Sequence, residues 1–597
     1  MILPNDQDPN IHINKAEHQK IKREYSLSIQ EEANVIMIFK SIPGNINDEL
    51  RNERVNAIKV RAKKLKQKMS LKAIKHENYF SYKQDFPSVN KQRIQKLAFD
   101  IEKQIFPNIK DYGTLENLLK VLIKILEQNI PNDLILFRQV KVIFVLVEVL
   151  KRPPSCHKSE IKSLGKIMEL IIKILLHFSV LPENRNYMIE ANRITVIADL
   201  LLWVLNKPTK IPLGISFLPD LIQIITTHVK HKVPFEIVSM KDDLLEYLIL
   251  CNIIPKFKQK YHNLNVTIDF TSGSDSFSMV LLKSLSMFEA ITKQININFL
   301  TKPVYVKQTK INENILYMFE YSELIGLVHL LYVLLLSNGP IKPKEKVNAQ
   351  SRTVISSSLV AVKILNNICR IDLNLVQNLF VTPLNQEQIQ HVIIYIVNYS
   401  LEYLEQSDEV KELLHETLLL VSYLCLQNEN FQNVVNKGVV TIIQHICNLP
   451  FSYFSEKLLK DILFPTLITM TYNNVRNTKI LSNEINLKML VMYFKEKIQL
   501  ERIQEEDISE VSSSIYEGGN NNNNNVNNRK IREEFLQGKI TESKPSKAYS
   551  TTSSSKSTHD MVNGLSDFVI LSHRFPVELW EKAQEYYSTF DNNKNNI

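Results

Sequence analysis

The stretch HICNLPFSYFSEKLLKDILFPTLITMTYNNVRNTKILSNEINLKML, His445 to Leu490, decides how the rest of the chain is read. Leu458, Leu459, Ile462, Leu463, Leu467, Ile468 and Met470 recur in it at helical spacing, with polar residues between them. Pro465 lies inside that run and removes a backbone donor, so a bent or split helix is expected there. Tyr472-Asn473-Asn474 ends the run. Ile480, Leu481, Ile485, Leu487, Leu490 and Met492 then mark the apolar side of a second helix. Two helices with one apolar face each cannot enclose a core. They need neighbours of the same kind, which is the logic of a repeat array.

Such neighbours lie upstream. NENFQNVVNKGVVTIIQHI, Asn428 to Ile446, reads as a short helix, a break at Lys437-Gly438 and a more apolar helix. Gly438 suits a left-handed residue at the break. The pattern recurs from Pro182, with Asn192 at the break, and more weakly from Leu244, with Asn252 there. Matching the breaks makes Ile189, Ile249, Val435 and Leu481 equivalent. The step from Val435 to Leu481 is about 46 residues, within the range of armadillo and HEAT units. The chain therefore reads as all-α, an armadillo/HEAT-like helical solenoid over 91–500. Trp203, within ADLLLWVL, is expected to be buried against a neighbouring unit.

Bulk composition agrees. The 597 residues carry 44% hydrophobic residues, enough for a large core, and only 12 glycines, few for the turns a sheet protein needs. A net charge of +9 permits an anionic partner without requiring one. Cys156, Cys251, Cys369, Cys425 and Cys447 show no C-x-x-C spacing and read as small buried hydrophobes of a reducing compartment. The opening MILPNDQDPNIHINK is too polar for a signal peptide. The longest apolar runs, Leu324–Leu336 and Thr417–Leu426, fall short of the roughly 18 residues that span a bilayer. A soluble, cytoplasmic chain is expected.

Residues 1–27 read as disordered. Residues 28–85 hold a short helix, a break at Pro43-Gly44 and one long basic helix. In the latter, Val55, Ile58, Ala62, Leu65 and Met69 form an apolar seam. The other faces carry Lys59, Arg61, Lys63, Lys64, Lys66, Lys68 and Lys72 with almost no acid to pair with them. A solvated helix usually mixes signs to gain i,i+4 pairs. These seven cations are thus candidates for contact with RNA phosphates, a ribosome's included, unless they simply face water. Aromatic residues for base stacking, or for a membrane surface, are missing from the helix.

Beyond 500 the composition changes. Residues 501–564 are rich in Ser and Asn and read as a disordered linker. Order returns at 565–590, where Leu579, Trp580, Ala583, Tyr587 and Phe590 form one face of a terminal amphipathic helix. Two docks are open to it: the end of the solenoid, or a partner's groove.

Chemistry is not legible. His415-Glu416 opens like a zinc-protease helix, but Leu419 stands where the second histidine belongs. His391, His415 and His445 lie on apolar helices and read as core or boundary residues. No nucleophile elbow, dinucleotide fingerprint or phosphate-binding glycine loop occurs. Neither a catalytic residue, a metal site nor a cofactor is expected.

Several pieces resemble the C-terminal helical region of the S phase cyclin A-associated protein in the endoplasmic reticulum family. They are Leu449-Pro450-Phe451-Ser452-Tyr453-Phe454-Ser455, Leu463-Phe464-Pro465-Thr466-Leu467, Tyr472-Asn473-Asn474 and, near the end, Arg574-Phe575-Pro576 with Trp580. Weaker similarity reaches back to VRAKKLKQKM in the basic helix. Family members also carry an extended N-terminal region and a C2H2-type zinc finger, and this sequence shows neither. The resemblance implies a non-enzymatic adaptor in co-translational decay of tubulin messages. Such an adaptor would link a tetratricopeptide-repeat protein on the ribosome to the cytoplasmic deadenylase complex. Its alternative is a cell-cycle scaffold that binds a cyclin A–kinase complex, and the family name adds peripheral association with the endoplasmic reticulum. On that resemblance Phe451, Tyr453, Asn473, Asn474, Phe575 and Trp580 are the candidates for touching a protein partner.

Overall fold

The computed structural model describes residues 45–77, 90–106, 109–128, 130–151, 158–206, 217–250, 276–296, 325–336, 349–517 and 571–595. Every regular element among the described residues is a helix. The chain forms two compact units, one of residues 1–299 and 308–395, the other of residues 300–307 and 396–597. The expected disordered N-terminus, the short helix before Pro43 and most of the Ser/Asn-rich linker lie outside the described residues, as does the weak repeat break at Asn252.

The first unit opens with the basic helix, α1 (Asn45–Glu77). It continues through α2 (Lys91–Ile105), α3 (Tyr112–Leu126), α4 (Pro131–Gln139), α5 (Val142–Leu150), α6 (Lys158–Phe178), α7 (Pro182–Glu190), α8 (Ile194–Asn206), α9 (Leu218–Lys230), α10 (Val238–Leu250), α11 (Ser276–Asn296), α12 (Ile325–Leu336) and α13 (Arg352–Ile371). Neighbours in sequence stack as neighbours in space: α3 lies on α6, α9 on α11, and α11 on α13. The short helices α4 and α7 both begin with proline, whose missing N–H costs nothing in a first turn. Each is followed by a residue in the left-handed region, Lys141 at φ 59° and Asn192 at φ 52°, and then by an apolar helix. Asn192 is thus the break that the sequence pattern places there. Asn184, fully buried in α7, donates to the carbonyls of Phe178 and of Leu134, one repeat earlier.

Two expectations need correction in this unit. Trp203 is only half-buried, on the partly covered side of α8, because the apolar run ADLLLWVL is wider than the face that α8 buries. The membrane reading by run length also missed α13. It is 20 residues long and apolar enough to cross a bilayer, although 78% of its apolar window is buried within the fold, as in a core helix.

After α14 (Leu373–Gln377), the division between the units falls inside α15 (Pro383–Tyr403). The second unit then runs α16 (Asp408–Cys425), α17 (Glu429–Val434), α18 (Ile442–Cys447), α19 (Ser452–Ser455), α20 (Lys457–Thr471), α21 (Val475–Glu484), α22 (Lys488–Glu517), α23 (Leu571–Arg574) and α24 (Trp580–Asn595). The repeat is explicit here. Gln427 and Asn473, 46 positions apart, both take left-handed φ, 51° and 60°. Each precedes an asparagine, Asn428 or Asn474, whose side chain caps the next short helix. Gly438 takes φ 101° at the break before α18, a value that favours a residue without Cβ. Asn477 occupies in α21 the place Asn184 holds in α7. It donates to Met470 O at 2.7 Å and to Gln432 O, one repeat earlier, at 2.8 Å.

Pro465 neither splits nor ends its helix. α20 runs continuously from Lys457 to Thr471 through it. The expected second helix of the opening stretch is instead two, α21 and α22, separated by extended Ile485, and Met492 is largely exposed. α22 also continues to Glu517, past the expected start of the linker at 501. The first residues of this extension, Glu501-Arg502-Ile503-Gln504-Glu505-Glu506, are mostly good helix formers despite their polarity.

Candidate functional site

α1 binds the first unit by the expected seam. Ile58, Leu65 and Met69 are buried and Ala73 extends the line, while the side chain of Val55 lies outside the described residues. The helix rests on α7 and α10. Its charges do not all face water. Arg61 reaches Glu246 at 2.7 Å, and Lys66 pairs with Asp199. Lys68 and Lys72 share the carboxylate of Asp243, at 2.9 and 2.6 Å. Lys72 also approaches Ser239, and Asp199 accepts a further bond from the Tyr247 hydroxyl. Asn192, the break residue, donates to Ser70. Lys59, Lys63 and Lys64 are exposed and make no ion pair among the described residues.

The seven predicted cations therefore divide into four that answer acids of the first unit and three that form an open basic edge. The negative partners stand on α8 and α10, more than a hundred residues away in sequence. No local reading of α1 could find them. Between α1 and the stack lies a cavity of about 630 Å³, walled by Lys66, Ser70, Phe144, Asn192, Asp199 and Trp203. Arg193 sits beside it, over the Phe144 ring at 4.5 Å. Burial pushes the Asp242 carboxyl up, helped by its acidic neighbour Asp243.

In the second unit the predicted partner residues have different fates. Phe451 is 79% exposed, and Asn473 is exposed at its left-handed turn. Tyr453 is buried, with its hydroxyl 2.8 Å from His415 Nε2. Asn474 is buried as a helix cap. Phe575 and Trp580 are buried as well. The Phe575 ring meets Tyr472 edge-on at 5.2 Å, and Trp580 Nε1 donates to the Phe575 carbonyl. These four side chains hold the unit together and are not offered to a partner. Of the two docks for the terminal helix, the chain's own surface is the one taken. α24 packs on α22, the Tyr587 and Thr471 hydroxyls meet at 2.8 Å, and those of Tyr586 and Thr478 at 2.9 Å. Arg574 is the anchor that sequence reading passed over. It is fully buried and donates to the carbonyls of Asp461 and Ile462 and to the Thr466 hydroxyl.

Burial holds His391, His415 and His445 below the usual histidine range, His415 at about 3, so all three are neutral at neutral pH. Cys369 and Cys425 are free, buried thiols pushed upward by desolvation, and Cys447 rises to about 12. Among the described residues no cluster of three or more His, Cys, Asp or Glu side chains could hold a metal ion.

The geometry thus describes an all-helical repeat protein whose conspicuous residues mostly serve its own packing, with a basic edge and an exposed Phe451 left over. No family model matches the chain. It is similar to a human protein, the S phase cyclin A-associated protein in the endoplasmic reticulum, at 23% identity over 499 residues. The match covers 74% of this chain and 35% of the human protein, so the chain spans about a third of that relative's length.

Proposed function

We propose that this chain is a non-catalytic scaffold of the armadillo/HEAT type whose partner is a cyclin A–kinase complex. The observation that carries the reading is the similarity to a protein named for association with cyclin A, which runs through three quarters of the chain. The repeat faces support it, because stacked helices present a long surface for another protein. Phe451, largely exposed where the other described aromatic residues of its unit are buried or half-buried, is a natural anchor in an interface. The test is capture of purified cyclin A–kinase by the purified chain, compared with Phe451→Ala. Retention of the complex by the parent and loss by the variant is the expected result. No retention by the parent ends the reading.

A second reading is favoured by one specific observation, the open basic edge of Lys59, Lys63 and Lys64. Unpaired lysines on a rigid docked helix give a sequence-independent affinity for phosphate that falls with salt. In this reading the scaffold is an adaptor on ribosomes, and tubulin-message decay through the deadenylase complex is its most specific form. Lys59→Glu, Lys63→Glu and Lys64→Glu together abolish co-sedimentation with ribosomes at low salt while the thermal melt is unchanged. A parent chain that stays in the supernatant at low salt excludes this reading and leaves the cyclin scaffold.

A further inference from the structure

The four paired cations of α1 raise a question that the open edge does not. Arg61, Lys66, Lys68 and Lys72 lie on the same helix as Lys59, Lys63 and Lys64, within reach of the same polymer. Their side chains remain substantially exposed, at 42, 46, 57 and 29%. The acids they meet are less so: Asp243 is 10% exposed and Glu246 19%. The acids are fixed on α8 and α10, part of the packed stack, whereas the cations are long flexible side chains that can turn outward. Such partly exposed pairs are weak and are screened by salt. The helix itself is held by its buried seam, so a cation can leave its acid while α1 stays docked.

We infer that Asp199, Asp243 and Glu246 form an acidic ledge that competes with polyanions for the cations of α1. The inference rests on the phosphate-contact reading and deepens it. A phosphate polymer meets three free lysines first and gains the other four only by displacing the ledge. The ledge thus sets both the affinity of the helix and its dependence on salt. Asp243 carries the largest share, since it engages two lysines at once. The sharing is compact: Lys68 and Lys72 are one turn apart and meet the two oxygens of one carboxylate.

The experiment uses the full chain and a short DNA duplex as a sequence-neutral polyanion, with affinity measured across a salt series. The ledge variant is Asp199→Asn, Asp243→Asn and Glu246→Gln. A control variant of equal charge change, Glu127→Gln, Asp220→Asn and Glu236→Gln, removes acids that make no ion pair with α1. Freeing four cations steepens the slope of log affinity against log salt by about 3 to 4, with affinity at low salt raised about tenfold or more. Asp243→Asn alone steepens it by about 2. The control moves affinity only slightly. Thermal melts of both variants match the parent, because the seam is untouched. If ledge and control variants behave alike, long-range charge explains the gain and the ledge is overturned, while phosphate contact stands. If the parent binds and the ledge variant gains nothing, the ledge again falls alone. If neither parent nor ledge variant binds at low salt, the ledge and the phosphate-contact reading fall together.

Discussion

Arg574 donates from Nη2 to the carbonyl of Asp461, 2.5 Å away, and that carbonyl is the one Pro465 leaves without its helical donor. A proline inside a helix ordinarily costs about 3 kcal/mol because it orphans the carbonyl four residues back. Here a guanidinium from the far end of the chain fills the gap and also reaches the Ile462 carbonyl at 3.0 Å. The carboxylate of Asp461 accepts from the Tyr493 hydroxyl and pairs with Lys497 on the neighbouring α22. The defect in α20 is therefore the seat of the C-terminal segment.

This coupling has a measurable form. Arg574→Met leaves the Asp461 carbonyl without a donor, while the Ile462 carbonyl keeps the Thr466 hydroxyl, and costs about 1–3 kcal/mol in urea unfolding. Pro465→Ala returns the N–H to the helix, so Asp461 no longer depends on Arg574. In the Pro465→Ala background, Arg574→Met costs about 1 kcal/mol less than in the parent. Additive effects would show that the proline and the arginine act independently.

Asn477 ties two repeats through both hydrogens of its amide, while its oxygen accepts from Asn436 at 2.6 Å. Asn477→Ala strands all three partners in a buried site, at about 2–3 kcal/mol. Asn477→Asp is no better, since a carboxylate cannot donate to Met470 and Gln432. Denaturant midpoints of both variants check this.

The two tryptophans report opposite environments. Trp580 is 3% exposed, and Trp203 is half-buried beside the cavity under α1. In the Trp580→Phe protein, the remaining fluorescence is quenched by acrylamide. In the Trp203→Phe protein it is shielded. Trp203→Ala costs about 1–2 kcal/mol, less than a fully buried tryptophan would, because part of the ring is already in water.

His415 makes the second unit acid-sensitive. Burial, with Lys411 as a smaller cause, lowers its folded-state value from 6.5 to about 3. The unfolded chain binds the proton more readily, so stability from the neutral ring is full above pH 6.5 and is lost as pH falls towards 3. At pH 5 the loss is about 2 kcal/mol. His415→Gln does not titrate and keeps a polar partner for Tyr453. Its unfolding free energy therefore falls less steeply between pH 6.5 and 5 than the parent's, in paired denaturant titrations.

Much of the fold is legible along the chain because it depends on near neighbours. The left-handed breaks at Asn192 and Gly438 and the 46-residue step each rest on residues within one repeat. The misreadings have a common origin. Pro465 reads as a bend or split because its rescuer, Arg574, is more than a hundred residues away. Phe451 and Tyr453 look alike as aromatic candidates in one short segment, yet only the latter finds a buried partner, His415 on α16.

The helical period, the repeat and the amphipathic seam of α1 are written in spacing, since a helix places residues three and four apart on one face whatever follows. Which charges of α1 are free is not written there. Lys63 and Lys66 are indistinguishable in sequence, three residues apart on one basic helix, but one faces water and the other meets Asp199. An ion pair depends on where distant helices are brought in space, and that was decided only when burial of the Ile58–Ala73 seam set the helix against α7 and α10.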